Sequence, residues 1–157
     1  MIVSCPVADV VPLPFPELFA TVIHPQIEIR TEDARAVMSD SVPLRTAVRQ
    51  WGNVGALVAG LAGGDYGLIA RSLEDFVAEP FRKSLILGFD EVKRASLDAG
   101  ALGGGISGSG PSIFMLCRSA ETAETVRAAM IDVYKSTGID FNTYVSPINR
   151  SGACISK

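Results

Sequence analysis

The chain has 157 residues, of which 48% are hydrophobic and 20% are charged, and its formal net charge is −3 at pH 7. This length suits one domain, and the share of apolar residues is large enough to build a core, so intrinsic disorder is excluded. Because the sequence is acidic overall and has no basic stripe, binding driven by neutralisation of nucleic-acid phosphates is excluded as well.

The cysteines and the apolar segments indicate the compartment. Cys5, Cys117 and Cys154 are far apart and odd in number, so they form neither a metal-ligand spacing nor a disulfide framework, which indicates a reducing cytoplasm. Residues 1–19 are apolar but contain four prolines and no basic start, unlike a signal peptide. The uncharged run over residues 50–64 is too short and too rich in glycine to cross a bilayer. We expect a soluble cytoplasmic protein that does not bind membranes.

The predicted elements begin with an extended segment over residues 1–17, where repeated prolines exclude a helix. The run LFATVI at residues 18–23 is rich in β-forming residues and predicts a buried strand. Pro25 is expected to interrupt that strand. The alternating residues 27–30 then predict a short strand end.

Two helices are predicted next. Thr31, followed by two acidic residues, is typical of an N-cap and predicts a short helix over residues 31–38. Pro43 suits the first turn of a longer helix, which glycines at 63 and 64 should end. Apolar residues recur along this helix in one stripe, on which Trp51 is interpreted as a core residue. The stripe consists of Leu44, Ala47, Val48, Trp51, Val54, Gly55, Val58 and Leu61.

The rest of the chain alternates helical and extended patterns. The remaining predicted elements are helical runs over residues 66–77 and 85–97, a strand over 112–117, a helix capped by Ser119, and a strand over 141–147. Long helical runs combined with few strands predict an α+β domain in which helices are layered on a small sheet.

The sequence GGGISGSGPS, residues 103–112, is a candidate binding loop. Glycine permits close backbone approach and positive φ, so successive amides can bind an anion, and Ser107 and Ser109 can add hydroxyl donors. The alternative is a tight bend between two strands, and composition alone does not decide between them. A Walker A loop and a Rossmann fingerprint are excluded, because no Gly-Lys-Ser/Thr ending occurs and the predicted element that follows is a strand.

The stretch GGGISGSGPSIFMLC resembles the C-terminal glycine-rich motif of the GHMP small-molecule kinases, and its ISGSGPS form is similar to that of homoserine kinases. Two further stretches agree in the same order, HPQIEIRTEDARAVM and AEPFRKSLILGF. The resemblance spans roughly residues 21–150. It implies a GHMP-kinase C-terminal domain over residues 18–157, with a small, mostly antiparallel sheet. It also implies transfer of the ATP γ-phosphoryl group, with Mg²⁺, to the hydroxyl of L-homoserine in threonine biosynthesis.

The resemblance implies a substrate site. Arg35 and Arg82 would bind the α-carboxylate of L-homoserine, for which the planar guanidinium fork is suited. Thr31 would lie beside the substrate. Considered without the resemblance, Arg35 could be an exposed residue paired with Asp33 or Glu32, and Arg82 could be a solvated loop charge.

The resemblance also implies that the glycine loop lines the phosphate and substrate side of the pocket. The loop residues with this implied role are Ser107, Gly108, Ser109 and Gly110. No catalytic residue is assigned, and no metal ligands are identified. His24, the single histidine, is expected to be structural.

One motif of the family is not found. GHMP kinases carry a Gly-Leu-Gly-Ser-Ser-type loop in an N-terminal domain, whereas the glycines at 52–64 lie inside a helical pattern. We therefore expect the C-terminal half of a homoserine kinase, with residues 1–17 left from the junction with a missing N-terminal domain. Such a chain should be inactive alone, and its exposed apolar surface should favour a homodimer. The alternatives are a stand-alone α+β amino-acid-binding domain and a dimerisation module.

Overall fold

A four-stranded antiparallel sheet organises the fold in a computed structural model that describes residues 13–151. The strands are β1 (Phe19–Pro25), β2 (Gly103–Ile106), β3 (Ile113–Cys117) and β4 (Phe141–Pro147), and their order in the sheet is β2-β3-β1-β4. The helices are α1 (Thr31–Ala36), α2 (Leu44–Gly63), α3 (Tyr66–Ser72), α4 (Glu79–Arg82), α5 (Phe89–Asp98) and α6 (Ala120–Lys135). One 3-10 turn, Lys83–Leu85, lies between α4 and α5. The predicted α+β architecture is confirmed.

The central strand β1 sets the register of the sheet. Ile23 is opposite Ile113 of β3 and Thr143 of β4. Alternate residues point to one face, so Thr21 and Ile23 are fully buried. The buried Thr21 hydroxyl donates to the carbonyl of Ala123 at 2.9 Å, which satisfies it and ties the sheet to α6.

Helices α5 and α6 cover this face and complete the main core. Val92, Val126 and Met130 are fully buried against the strands. The predicted cap of α6 is confirmed, because the Ser119 hydroxyl accepts from the Thr122 amide at 3.1 Å. Tyr134 donates from its hydroxyl to the carbonyl of Leu87 at 2.9 Å, and burial raises the pKa of Tyr134 to about 12.

The hairpin of α2 and α3 forms a second, smaller cluster. Ile69 is fully buried there beside Leu18 and Leu102. The predicted end of α2 is confirmed: Gly64 has φ of 67°, in the left-handed region that suits glycine at a helix C-terminus. Asp65 follows at once and caps α3, accepting from the Leu68 amide at 2.9 Å.

The prediction that Trp51 is a core residue is wrong. Its side chain is 64% exposed, and the large apolar residues on the same side of α2 are exposed too. The helix packs inward through Leu57, Gly60 and Leu61 instead. Because α2 is apolar on both sides, its sequence pattern does not distinguish the inner face from the outer one.

Two predictions around α1 are also wrong. Residues 27–30 form no strand. Strand β1 is not interrupted at Pro25 but includes it, and Pro25 is opposite Phe141 of β4. At this end of β1 the pairing with β3 has already stopped. Thr31 is not the N-cap of α1. Arg30 holds that position, its carbonyl accepts from the Ala34 amide at 3.0 Å, and Thr31 is the first helical residue.

Two further boundaries differ from the prediction. The helical run predicted over residues 66–77 ends at Ser72, because the Asp75 carboxylate accepts from the amides of Val77 and Ala78 and starts a new turn there. Residues 103–106, expected to lie in a glycine-rich loop or bend, form strand β2. A Cβ at Gly104 would lie 2.0 Å from the Phe114 carbonyl oxygen, so glycine allows the close pairing of β2 with β3.

The predicted extended segment lies outside the described residues as far as residue 12, and so do Cys5 and Cys154. Cys117 is buried on β3, where burial raises the pKa of its thiol. None of the helices within residues 13–151 is long and apolar enough to cross a membrane.

Candidate functional site

An open cleft of about 860 Å³ lies between α1, α4 and the loop that follows β2. It brings together residues that are up to 78 positions apart in the sequence, from Thr31 to Ser109. Its lining residues are Thr31, Ala34, Arg35, Met38, Ser39, Asp40, Arg82, Gly108 and Ser109. The predicted substrate residues and the middle of the glycine loop therefore share one surface.

Helix α1 contributes Thr31 and Arg35 to the cleft. They are one turn apart, so they lie on the same side of the helix, as the sequence predicted. Glu32 pairs with Arg30 at 3.1 Å and not with Arg35. Within residues 13–151, Arg35 forms no ion pair, which leaves its guanidinium available to an anion in the cleft.

Arg82 is the last residue of α4 and is half-buried, so it does not lie on an irregular loop as the alternative supposed. Its Nε donates to the carbonyl of Ala34 at 3.2 Å, and its Nη1 donates to the carbonyl of Gly108 at 3.2 Å. These bonds hold the half-buried side chain between α1 and the glycine loop. A guanidinium has five N–H donors, so several remain for a ligand.

The glycine loop turns back tightly between β2 and β3. The Ser107 amide donates to the Ser112 carbonyl at 2.8 Å, and the Gly110 amide donates to the Ser107 carbonyl at 3.1 Å. Gly108 has φ of 64°, a conformation that favours glycine. In the described part of the chain, the amides of Gly108 and Ser109 have no acceptor. Adjacent unpaired amides at the edge of a cleft can bind an anion.

Ser107 and Gly110 support this loop without lining the cleft. The Ser107 backbone closes the turn, and a Cβ at Gly110 would lie 3.1 Å from the Ile86 side chain. Gly110 therefore faces the core. Direct contact of these two residues with phosphate or substrate stays a prediction.

No sequence pattern predicts a contact between His24 and the loop. His24 Nδ1 lies 2.8 Å from the Ser112 hydroxyl, although the two residues are 88 positions apart. The antiparallel pairing of β1 with β3 brings them together. His24 thus attaches the end of the glycine loop to the central strand, which agrees with the structural role expected of it. Asp40, which adds a carboxylate to the cleft, was not predicted either.

A buried ion pair fixes the base of α4. Glu79 and Lys93 are in contact, and their side chains are only 13% and 18% exposed. Burial raises the pKa of the Glu79 carboxyl, and the Lys93 ammonium opposes this effect. The carboxylate lies beside Gly105 of β2, where a Cβ would approach it to 2.5 Å. This contact anchors the short helix that carries Arg82.

No group of three or more His, Cys, Asp or Glu side chains within residues 13–151 is arranged to hold a metal ion. The cleft itself is lined by two guanidinium groups, one carboxylate and two amides without acceptors. Its chemistry therefore suits a small ligand with a carboxylate or phosphate group.

Known proteins are similar to this chain in sequence. The sequence model of the family described as GHMP kinases C terminal matches residues 53–136. The homoserine kinase of Chloroherpeton thalassium is 50% identical over 149 residues, which cover 94% of this chain and 47% of that protein. The homoserine kinase of Chlorobaculum tepidum is 53% identical over 140 residues, 88% of this chain and 43% of that protein. The chain spans about half the length of the curated relatives it matches.

Solved structures share its fold. The crystal structure of homoserine kinase from Cytophaga hutchinsonii aligns with a TM-score of 0.85 and 53% identity, covering 88% of this chain and 44% of that one. Phosphomevalonate kinase from Streptococcus pneumoniae, in complex with phosphomevalonate and AMPPNP, aligns with a TM-score of 0.66 at 20% identity, covering 87% of this chain and 41% of that one. The second likeness shows the fold alone. By its family match and its fold, the chain belongs to the GHMP kinase C-terminal domain family.

Proposed function

We propose that this chain forms the carboxylate-binding and glycine-loop wall of a homoserine kinase, which transfers the γ-phosphoryl group of ATP to the side-chain hydroxyl of L-homoserine in cytoplasmic threonine biosynthesis. The observation that carries the proposal is the single cleft shared by Arg35, Arg82 and the loop amides. The identity of about half with curated homoserine kinases supports the choice of substrate.

The two arginines bind the α-carboxylate of L-homoserine. Arg82 is already held by two backbone carbonyls, so little side-chain entropy is lost when it donates to a ligand. Arg35 lies on α1 across from it, and Thr31 adds a hydroxyl one turn away. Fixing the carboxylate orients the hydroxyl at the other end of the substrate, which makes attack on a phosphoryl group effectively intramolecular.

The glycine loop stabilises negative charge near the acceptor hydroxyl. ATP with Mg²⁺ supplies the phosphoryl group, and charge builds on its oxygens during transfer. The amides of Gly108 and Ser109 fit such an oxygen, because they line the cleft and have no acceptor among the described residues. Residues 13–151 provide no carboxylate cluster for Mg²⁺. We assign the nucleotide and its metal to the half of the relatives that this chain does not span, because the Gly-Leu-Gly-Ser-Ser-type loop of the family is not found in this sequence.

A coupled ADP-release assay with L-homoserine tests the proposal. It compares the 157-residue chain with a longer protein in which the same residues are joined to the half that the relatives carry in addition. We expect turnover by the longer protein alone. Turnover by the 157-residue chain would show that residues of this chain hold ATP, and inactivity of both forms would contradict the kinase proposal.

A second candidate is an amino-acid-binding domain that works without ATP. It is favoured by one observation, that Arg35 and Arg82 line one cleft and form no ion pair within residues 13–151. This function predicts binding of L-homoserine by the 157-residue chain and no ADP release by either form. ADP release by the longer protein distinguishes the two candidates, because both of them predict that the 157-residue chain binds L-homoserine.

A further inference from the structure

The glycine loop is held at two points by side chains that are far away in the sequence. At its tip, the Arg82 guanidinium donates to the carbonyl of Gly108 at 3.2 Å. At its base, the Ser112 hydroxyl lies 2.8 Å from Nδ1 of His24. Arg82 already belongs to the carboxylate site, whereas His24 has no part in the reaction as described so far. The contact at the base of the loop is therefore a second place at which the fold can act on the chemistry.

The position of His24 is fixed by the sheet. It lies on β1, one residue beyond the last pair of β1 with β3, and it is opposite Asn142 of β4. Its neighbours Ile23 and Pro25 are fully buried. Its carbonyl accepts from the Gln26 side chain at 3.3 Å. Because the backbone is held in this way, the His24 ring is a fixed point against which the loop can be placed.

Ser112 connects this fixed point to the loop. Its hydroxyl faces His24, and its carbonyl accepts from the Ser107 amide at 2.8 Å, which closes the base of the loop. Between these two serines lie Gly108 and Ser109, whose amides have no acceptor in the described part of the chain. A shift of Ser112 would therefore move the two amides as well.

The same end of β1 leads into the carboxylate site. The chain runs from His24 into α1, which contributes Thr31 and Arg35 to the cleft. An added Cβ at Gly110 would lie 3.4 Å from the Ile29 side chain, so the base of the loop packs against the segment that joins His24 to α1. The loop amides and the helix that binds the substrate carboxylate thus have a common reference at the end of β1.

We propose that His24 is a positioning residue for phosphoryl transfer, which acts through Ser112 to hold the amides of Gly108 and Ser109 at the acceptor hydroxyl. This role rests on the kinase function proposed above. Electrostatic stabilisation is most effective when the donors are oriented before charge builds up, because no reorganisation is then needed during the reaction. The arginines bind the other end of the substrate. Loss of the contact should therefore slow the transfer step and leave carboxylate binding intact.

The chemistry of the contact indicates which substitutions keep it. Nδ1 is bonded directly to Cγ of histidine, and the two polar atoms of asparagine are bonded to Cγ in the same way. His24→Asn can therefore retain a partner for the Ser112 hydroxyl, which can both donate and accept. His24→Leu has the same branching at Cγ but no polar atom. These two variants differ mainly in whether the hydrogen bond can form.

Steady-state kinetics of the longer protein test the role in the reaction. We expect His24→Leu to lower kcat by about 10- to 100-fold and to leave the KM for L-homoserine within about twofold, since small misplacements of the donors are costly. His24→Asn should recover most of kcat. Ser112→Ala should lower kcat as His24→Leu does, and the double variant should be no slower than either single one, because both remove the same contact. A raised KM at unchanged kcat, additive losses, or a His24→Asn variant as slow as His24→Leu would overturn the proposal.

Thr21→Val is the control for a general loss of stability. Thr21 lies on the same strand but faces the core, where its buried hydroxyl donates to the Ala123 carbonyl at 2.9 Å. Valine has nearly the same shape as threonine, so this variant should lower the Tm by leaving a buried carbonyl unpaired. It should leave kcat unchanged at temperatures well below the Tm. An equal fall of kcat in Thr21→Val and His24→Leu would mean that His24 acts on stability alone, contrary to the proposal.

Backbone resonances of the 157-residue chain test the positioning without the reaction. His24→Leu should shift the amide resonances of Gly108 and Ser109, whereas His24→Asn and Thr21→Val should leave them near their wild-type positions. Unchanged resonances in His24→Leu would overturn the proposal even if the kinetics changed. Inactivity of the longer wild-type protein would contradict the kinase function instead, and the resonances would still decide whether His24 positions the loop.

Discussion

At the scale of single residues, the two arginines of the cleft are expected to differ. Arg82 joins α1 to the glycine loop through two backbone carbonyls, whereas Arg35 forms no ion pair within residues 13–151. In the longer protein, Arg35→Ala should raise the KM for L-homoserine by about 10- to 100-fold, the value of a lost charge-assisted hydrogen bond. Arg82→Ala should raise KM similarly and also lower kcat and Tm, because the loop loses its support. Steady-state kinetics and calorimetry measure both effects.

The conservative variants serve as controls. Lysine keeps the charge of arginine but cannot span two carbonyls and a carboxylate. We therefore expect Arg35→Lys to recover part of the KM and Arg82→Lys to recover little of the Tm. If Arg82→Ala left the Tm unchanged, the bridge between Ala34 and Gly108 would have no structural importance.

The buried Glu79 carboxyl predicts a particular pH dependence of stability. Burial raises its pKa in the folded chain above the ordinary value of 4.5, so the folded chain binds this proton more tightly than the unfolded chain does. The contribution of Glu79 to the free energy of unfolding should then be largest below pH 4.5 and fall as pH rises through its folded pKa. Urea unfolding of the wild type and Glu79→Gln between about pH 4 and pH 7 measures this difference. A wild-type free energy of unfolding that rises with pH relative to that of Glu79→Gln would mean that Lys93 outweighs burial.

Some of these residues could be predicted from the sequence and others could not. Arg35, Arg82 and the glycine loop stand in motifs whose order resembles a known family, and the fold places them around one cleft. Arg82 contacts Ala34 and His24 contacts Ser112, and the two residues of each pair are far apart in sequence. No local pattern encodes such pairs, because the sheet register and the position of α4 create them.

At the scale of elements, the start of α6 depends on one side chain. The Ser119 hydroxyl accepts from the Thr122 amide, which otherwise has no intrahelical partner. Ser119→Ala should lower the free energy of unfolding by about 1 kcal/mol. Ser136→Ala is the matched control at the other end of the helix, where the hydroxyl is exposed and donates to the Val133 carbonyl. Urea denaturation compares them, and an equal loss in both variants would exclude a specific cap.

Strand β2 depends on the absence of side chains. A Cβ at Gly104 would lie 2.0 Å from the Phe114 carbonyl oxygen and 2.8 Å from the Met115 Cα, neither of which can move without shifting β3. Gly104→Ala should therefore destabilise the chain by more than about 2 kcal/mol, as forced overpacking does. Gly63→Ala in α2 meets nothing within 4 Å and should leave stability unchanged or raise it slightly. Equal denaturation midpoints for these two variants would contradict the close pairing of β2.

The elements that the sequence predicted best are those with one buried face. Helix α6 and strand β4 have a regular apolar period and clear ends, and the structure confirms both. Strand β2 was missed because glycine has a low strand propensity, and only its pairing with β3 makes it a strand. The outer side of α2 was wrongly predicted to be buried, because its residues are apolar although they face solvent.

At the scale of the whole molecule, the cleft lies where three elements meet beside the sheet and not within the core. The main core of α5, α6 and the strands fixes the loop after β2, and the pair of Glu79 with Lys93 fixes α4 relative to α5. The resemblance could predict which motifs meet. The volume of the cleft and the bridge made by Arg82 depend on packing that single-sequence patterns do not contain.

Arg35, Arg82 and the amides of Gly108 and Ser109 line one cleft, so ligand binding by this chain is expected even where turnover is not. L-Homoserine should raise the Tm of the 157-residue chain and shift the backbone amide resonances of Gly108 and Ser109. Homoserine lactone is the matched ligand control, because it has the same carbon skeleton but no free carboxylate. A ligand that binds only the folded chain raises stability by an amount that grows with the logarithm of one plus the ratio of its concentration to its Kd, so the weakly binding lactone should have little effect at equal concentration. The response to L-homoserine should also weaken in salt, since Arg35 is exposed and its attraction for a carboxylate is screened. Equal shifts of the Tm and of the amide resonances with the two ligands would show that the arginines do not bind the carboxylate. The substrate would then have to be oriented by groups outside residues 13–151.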